Sequence, residues 1–240
     1  MAMRILITND DGYNAPQLVP FIKWCSRLGE VTVVVPKYQQ SGKSHGIELH
    51  KPFEAKETEL EPGLKAWVVD STPADCVRFA VLGLNKKFDI VISGINNGFN
   101  IGADTLYSGT LAAASEAVLL GVQAVAISTC PEYYDKAINH LGDVLNFVLA
   151  KGLLGKCKLY NINIPADPKG ILITRQGGPY YSDTFQSVGG SMYLACGHSV
   201  WVDRQDNSYD TDATLHGYIS ISPLTVDKTD IKVFEELQNK

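Results

Sequence analysis

The chain has 240 residues, 45% of them hydrophobic and 20% charged, and a formal net charge of -5. This balance supplies a sizeable core for one large domain or two small ones, and excludes a chain that is mainly disordered, collagen-like or low in complexity. The net charge offers no overall attraction to a nucleic-acid polymer or an anionic membrane, and no apolar run approaches the ~20 residues of a membrane helix.

The N-terminus does not read as a signal peptide, because the short apolar run Ile5-Leu6-Ile7 passes at once into Asn9-Asp10-Asp11. Five cysteines, Cys25, Cys76, Cys130, Cys157 and Cys196, are scattered without a CxxC pair or zinc spacing. Reduced thiols in a cytoplasmic protein are the expectation.

Ile5-Leu6-Ile7 suits a buried strand. Asn14-Ala15-Pro16 reads as a helix start, Leu18, Phe21, Ile22 and Cys25 recur at helical spacing, and Gly29 is the stop. Residues 31–36 form a second strand, followed by a polar loop from Lys37 to Ser44. Ile47, Leu49 and Phe53, then Ala66 to Val69, suggest a β excursion, after which Ser71-Thr72-Pro73 opens a helix running to Leu84. Strands follow at 88–92 and 124–128, separated by a Gly/Asn loop and an Ala-rich helix that begins at Ser108 and ends at Gly121. A helix from Tyr133 to Ala150 and a strand from Leu159 to Ile164 complete the alternation.

This order predicts an α/β fold of the Rossmann-like, doubly wound kind, with a mostly parallel sheet covered on both faces. Residues 166–210 lack a long helical period and read as an extended hairpin or arm. A short helix near Asp212 and a strand at 218–221 come last. With no separating linker, residues 1–240 read as a single domain carrying that arm.

Ligands of such sheets sit beyond the carboxyl ends of the strands. Asn9-Asp10-Asp11-Gly12 follows the first strand, and Gln39-Gln40-Ser41-Gly42 the second. Ser93 to Asn100 follows the third and leads to Tyr107-Ser108-Gly109-Thr110 at a helix start. Adjacent carboxylates can serve one ion only where the strand has ended, and Gly12 permits that bend. Oxygen ligands of this type select Mg²⁺, Mn²⁺ or Ca²⁺, although an acidic turn has the same composition. Asn96, Asn97 and Asn100 among glycines offer amide ligands or simply a long turn. The helix start at Ser108 offers N–H groups to an anion, or an ordinary Ser cap.

Gly42-Lys43-Ser44 lacks the leading glycine of a P-loop, no GxGxxG follows the first strand, and the five histidines show no metal-binding spacing.

Taken together, these segments resemble the SurE family of stationary-phase survival proteins. The likeness rests on Arg4 to Gly12, Val34-Val35-Pro36 with Ser41-Gly42, Thr72 to Val77, Asp89 to Asn96 and Tyr107 to Thr110. It continues through Asn161 to Pro165, Thr174-Arg175-Gln176, and Thr211-Asp212 with Gly217 to Ser220.

The resemblance implies a metal-dependent nucleotidase that hydrolyses nucleoside 5′- and, in some cases, 3′-monophosphates or short polyphosphate. It implies one divalent cation per subunit, Mg²⁺ or Mn²⁺, held by Asp10, Asp11, Ser41 and Asn96. It implies a phosphate and substrate pocket at Asn9, Gly42, Asn96, Asn100, Ser108, Gly109 and Thr110, with Asp10, Asn9 and Ser108 in the catalytic group. A soluble homodimer or homotetramer that exchanges its C-terminal arm is the implied assembly, with neither a nucleic-acid polymer nor a membrane as partner.

Three departures from the family pattern are Ser71 for Gly, Phe99 for Pro and Gln39-Gln40 for a basic residue, and of these Gln39, Gln40 and Phe99 fall near where a base or sugar would rest. Two rivals differ in class: a protein that senses nucleotide and metal without significant turnover, and a sugar-nucleotide transferase on the same plan.

Overall fold

The computed structural model describes residues 2–238. Eleven strands and six helices follow in the order β1 (Met3–Thr8), α1 (Leu18–Cys25), β2 (Gly29–Pro36), β3 (Ala55–Glu61), β4 (Leu64–Val69), α2 (Pro73–Arg78), β5 (Ile90–Asn97), α3 (Gly109–Leu119), β6 (Gln123–Thr129), α4 (Tyr134–Ala150), β7 (Leu159–Ile164), β8 (Ile171–Ile173), β9 (Tyr181–Gly189), β10 (Met192–Ser199), α5 (Asp210–Leu215), β11 (Ile219–Leu224) and α6 (Ile231–Gln238). Nine strands form one sheet in the order β3-β4-β2-β1-β5-β6-β7-β11-β8. The run from β4 to β7 is parallel, and β3 and β11 join it antiparallel.

Successive residues of the inner strands serve opposite faces. Ile5, Ile7, Val33, Val35, Ile90 and Ile92 pack in one core with α1 and α4. Leu6, Val34 and Val91 pack in the other with α2 and α3. That explains the continuous apolar runs in the sequence and confirms the doubly wound α/β fold. The chain builds outward from β1 through β2 to β4, then crosses to β5 and continues the other way. The crevice for a ligand therefore lies at the carboxyl ends of β1 and β5.

Four local expectations change. Helix α1 starts at Leu18 rather than Asn14, because turn hydrogen bonds such as Ala15 N–H to Gly12 O occupy the preceding backbone. Pro20 then stands in the first helical turn, where its missing N–H costs nothing. Residues 46–53 form no strand; the edge strand is β3, whose charged sequence AKETELE hides it from an apolar reading but suits an unpaired edge. Within 166–210, β8 joins the main sheet, so the protruding hairpin narrows to β9 and β10. Helix α6 was not foreseen.

Strand β5 carries a register shift between Ser93 and Asn96. Gly94 sits at φ +135°, and a Cβ there would come within 2.3 Å of the Ile127 carbonyl oxygen. Only glycine lets the backbone turn at this point and extend Asn96 and Asn97 into the crevice.

Candidate metal and phosphate site

At the end of β1 the side chain of Asn9 turns back on its own loop. It donates to the Gly12 carbonyl at 3.0 Å and accepts from the Gly12 N–H at 3.2 Å. This closed turn sends Asp10 and Asp11 to different neighbours. Asp10 accepts from the Thr110 hydroxyl at 2.7 Å and the Thr110 N–H at 3.2 Å. Asp11 accepts from the Asn97 N–H at 3.0 Å and the Gln17 amide at 2.8 Å. The Gln40 N–H donates to the Asp10 carbonyl at 2.7 Å. Every loop that carries an expected ligand is thus hydrogen-bonded directly to one of these two aspartates.

The charge is poorly compensated. Burial raises the pKa of Asp10, against the stabilising hydrogen bonds of Thr110. Burial, then repulsion from Asp10, pushes Asp11 up to about 6. The Tyr134 phenol is also raised, first by burial and then by the charges on Asp11 and Asp10. No Lys or Arg among the described residues contributes to either aspartate's shift.

Asn96 uses its amide N–H on the Gly98 carbonyl at 2.8 Å, which leaves its Oδ1 as an acceptor. Ser41 is exposed in the loop after β2, its hydroxyl oxygen held by Gln39 at 3.1 Å, and Gly42 follows at φ +70° with open space beside it. Two carboxylates, an amide oxygen and a hydroxyl make a hard, oxygen-only set that fits Mg²⁺ or Mn²⁺. No cluster of three or more His, Cys, Asp or Glu stands among the described residues, in keeping with a set whose remaining donors are neutral.

Helix α3 begins as expected, with Ser108 accepting the Leu111 N–H at 3.1 Å as its N-cap. A Cβ on Gly109 would stand 2.9 Å from the Asp10 Cβ, so glycine is what admits the helix end this close. The Thr110 hydroxyl and N–H, expected to face phosphate, are engaged by Asp10. Asn100 is placed differently from the other expected residues. Its amide donates to Ser128 at 2.8 Å, and its carbonyl accepts from Asn161 and Asn163 at 2.7 and 3.0 Å. It is a buried strut beneath the loop.

Other contributors were missed from sequence. Gln17 is buried and its amide bridges Asp11 and the Ile95 carbonyl, the latter at 3.0 Å. Nothing local marks a glutamine before a helix for that task. Glu116, buried in α3, accepts from Arg78 at 2.9 Å and pairs with His45 at 2.8 Å. With Ser44 bound to the Leu106 and Tyr107 carbonyls, this pair pins the far side of the Ser41 loop to α3. A buried Glu in an Ala-rich helix is the one signal that could have found it, since such a charge needs a partner.

Ser71, one of the departures, donates to Asp75 of α2, which also accepts the Glu48 N–H at 2.8 Å.

The family described as "Survival protein SurE" matches residues 5–183. A "5'-nucleotidase SurE" of Thermoanaerobacter sp. (strain X514) is 38% identical, over 99% of this chain and 98% of its own. One of the same name from Clostridium beijerinckii is 36% identical over 98% of each. The crystal structure of the Sure protein from Aquifex aeolicus is similar with a TM-score of 0.79 and 31% identity, covering 98% of both chains.

Proposed function

This chain belongs to the SurE family, and on that premise we propose that it is a divalent-metal-dependent 5′-nucleotidase, releasing phosphate from nucleoside monophosphates. The observation that carries the reading is the convergence of the Ser41 loop, the end of β5 and the start of α3 on Asp10 and Asp11 through direct hydrogen bonds. Asp10, Asp11, Ser41 and Asn96 would hold one Mg²⁺ or Mn²⁺. When bound, the ion supplies charge neutralisation for a phosphate oxygen and lowers the pKa of a coordinated water.

The chain's own residues do the positioning. Ser108 uses its oxygen as the helix cap, so its hydroxyl proton is left to donate to a phosphate oxygen. The dipole of α3 favours the charge that builds on those oxygens. Asn9 keeps the aspartate turn closed. Gly42, without a side chain, leaves room for the phosphate beside Ser41. Asp10 would help to hold the ion and would also orient the attacking water.

The test is phosphate release from nucleoside 5′- and 3′-monophosphates after chelation and then on adding Mg²⁺ or Mn²⁺. Activity should return with metal and fall at least about 100-fold in Asp10→Asn. Tight nucleotide binding without release under any of these conditions would favour the sensing protein instead.

The β9–β10 hairpin supports a dimer. Nearly all its residues are exposed, including Phe185, Val188, Met192, Tyr193 and Leu194, and a lone hairpin is at best marginally stable in water. We assign this arm, and the exposed apolar side chains of α6 (Ile231, Val233, Phe234 and Leu237), to contact with a second copy of the chain. Among the described residues no helix is long and apolar enough to cross a membrane. Five free thiols support a reducing compartment, the cytoplasm.

A further inference from the structure

Gln17 stands at the N-cap of α1, yet its side chain does not cap the helix. It points into the protein instead, and the residue is only 3% exposed. Its Nε2 donates to Asp11 Oδ2 at 2.8 Å and to the Ile95 carbonyl at 3.0 Å. Its Oε1 is buried and has no hydrogen-bond partner among the described residues. A buried amide left half-satisfied costs stability, and an apolar side chain of the same size would avoid that cost. Packing alone therefore gives no reason for a glutamine here. Its two N–H bonds do.

Those bonds treat the two oxygens of Asp11 unequally. Oδ2 accepts from Gln17 and also from the Asn97 N–H at 3.0 Å, while no described group donates to Oδ1. Asp10 differs, with one bond from Thr110 on each oxygen. A carboxylate oxygen has two lone pairs, so two hydrogen bonds fill Oδ2 and leave Oδ1 as the free donor to a cation. The same amide steadies Asn96. Ile95 precedes that expected ligand and Asn97 follows it, and both are tied to this cluster.

Mg²⁺ demands near-ideal octahedral geometry at about 2.0–2.1 Å, whereas Ca²⁺ takes more oxygens in looser geometry and accepts carboxylates through one oxygen or both. We propose that Gln17 is a positioning residue that selects the metal. By filling Asp11 Oδ2 together with Asn97, it restricts Asp11 to coordination through Oδ1 alone and so favours Mg²⁺ over Ca²⁺. The inference rests on the proposed metal site and adds to it which residue outside the ligand set chooses the ion.

The test measures binding rather than turnover. Calorimetry on chelator-stripped protein at pH 7.5 gives the Kd for Mg²⁺ and for Ca²⁺ in wild type, Gln17→Met and Gln17→Glu. Methionine fills the space and removes both donors. Glutamate keeps the shape and offers only acceptors at this pH, and it carries the test if the methionine variant does not fold. Gln17→Met should raise the Mg²⁺ Kd about tenfold, the lower end of what loss of a hydrogen-bond partner of a metal ligand costs. The Ca²⁺ Kd should move by less than about twofold, because a freed Asp11 can offer that ion both oxygens. The ratio of the Ca²⁺ Kd to the Mg²⁺ Kd should thus fall about fivefold or more. Gln17→Glu should shift the ratio in the same direction, since it also releases Asp11 Oδ2. A residue that merely packs would change Tm in chelator and leave this ratio alone.

An unchanged ratio in a folded variant, including one that arises from a parallel loss of both ions, overturns the role of Gln17 while the metal site stands. Wild type that binds neither ion overturns the metal site itself, and the inference with it.

Discussion

The closeness of α3 to Asp10 makes a sharp prediction about two glycines. An Ala at position 109 would put its Cβ 2.9 Å from the Asp10 Cβ, 3.0 Å from Asp10 Oδ2 and 3.2 Å from the Pro73 ring. Two of these neighbours cannot swing away: the Asp10 Cβ is fixed by the end of β1, and the proline ring by the start of α2. Overpacking of this kind costs about 1–3 kcal/mol. The helix-propensity gain of Ala over Gly is at most about 1 kcal/mol, and less at a helix end. The net expectation for Gly109→Ala is a loss of about 1–2 kcal/mol, or roughly 2–8 °C in Tm for a chain of this size.

Gly142 is the internal control. It lies inside α4 with nothing within 4 Å of the Cβ position, so Gly142→Ala should stabilise by about 0.5–1 kcal/mol. Thermal unfolding of both variants, with metal-dependent phosphate release, is the assay. Gly109→Ala should also lose activity out of proportion to its stability, because Asp10 must shift from Thr110. A Gly109→Ala protein as stable as Gly142→Ala and fully active would refute the idea that this contact shapes the site.

The aspartate pair predicts how stability depends on pH. The folded pKa of Asp11, about 6, lies above its ordinary 3.8, so the folded state binds its proton more tightly than the unfolded one. Chelated protein should therefore lose stability as pH rises from about 4 to 6, by up to about 3 kcal/mol. Added Mn²⁺ should restore more at pH 7.5 than at pH 5. Equal pH slopes for wild type and Asp11→Asn in chelator would contradict this origin. His45→Ala leaves one Glu116 oxygen without its partner and releases the Ser41 loop. It should cost about 1–3 kcal/mol and raise the Mn²⁺ concentration for half-activity several-fold. An unchanged metal midpoint would show that the loop does not need this anchor. Phe185→Asp with Leu194→Asp should convert the sedimenting species to a monomer, and an unaltered oligomer would remove the hairpin from the interface.

Much of the architecture was legible because it depends on local periodicity. Ile5-Leu6-Ile7 and Ile90-Val91-Ile92 are buried on both faces, so their composition alone marks them as inner parallel strands. The loops after them were legible for a related reason, since strand ends in such sheets face the ligand crevice wherever the helices pack. Ser108 as the cap of α3 needed only its three following residues.

What the sequence could not reveal are elements and partners chosen by distant chain. Strand β3 is held by β4 and has no apolar pattern of its own, and β8 is three residues whose identity as a strand comes from β11. Thr110 looked free to bind phosphate, yet it meets Asp10 across 100 residues of sequence. Asn100 looked like a ligand, but the depth of the loop turns its amide toward Ser128. Periodicity and turn chemistry write which segments are strand, helix or loop into short stretches of sequence. The pairing of buried polar groups is decided only when packing removes water and each group must take the partner left within reach.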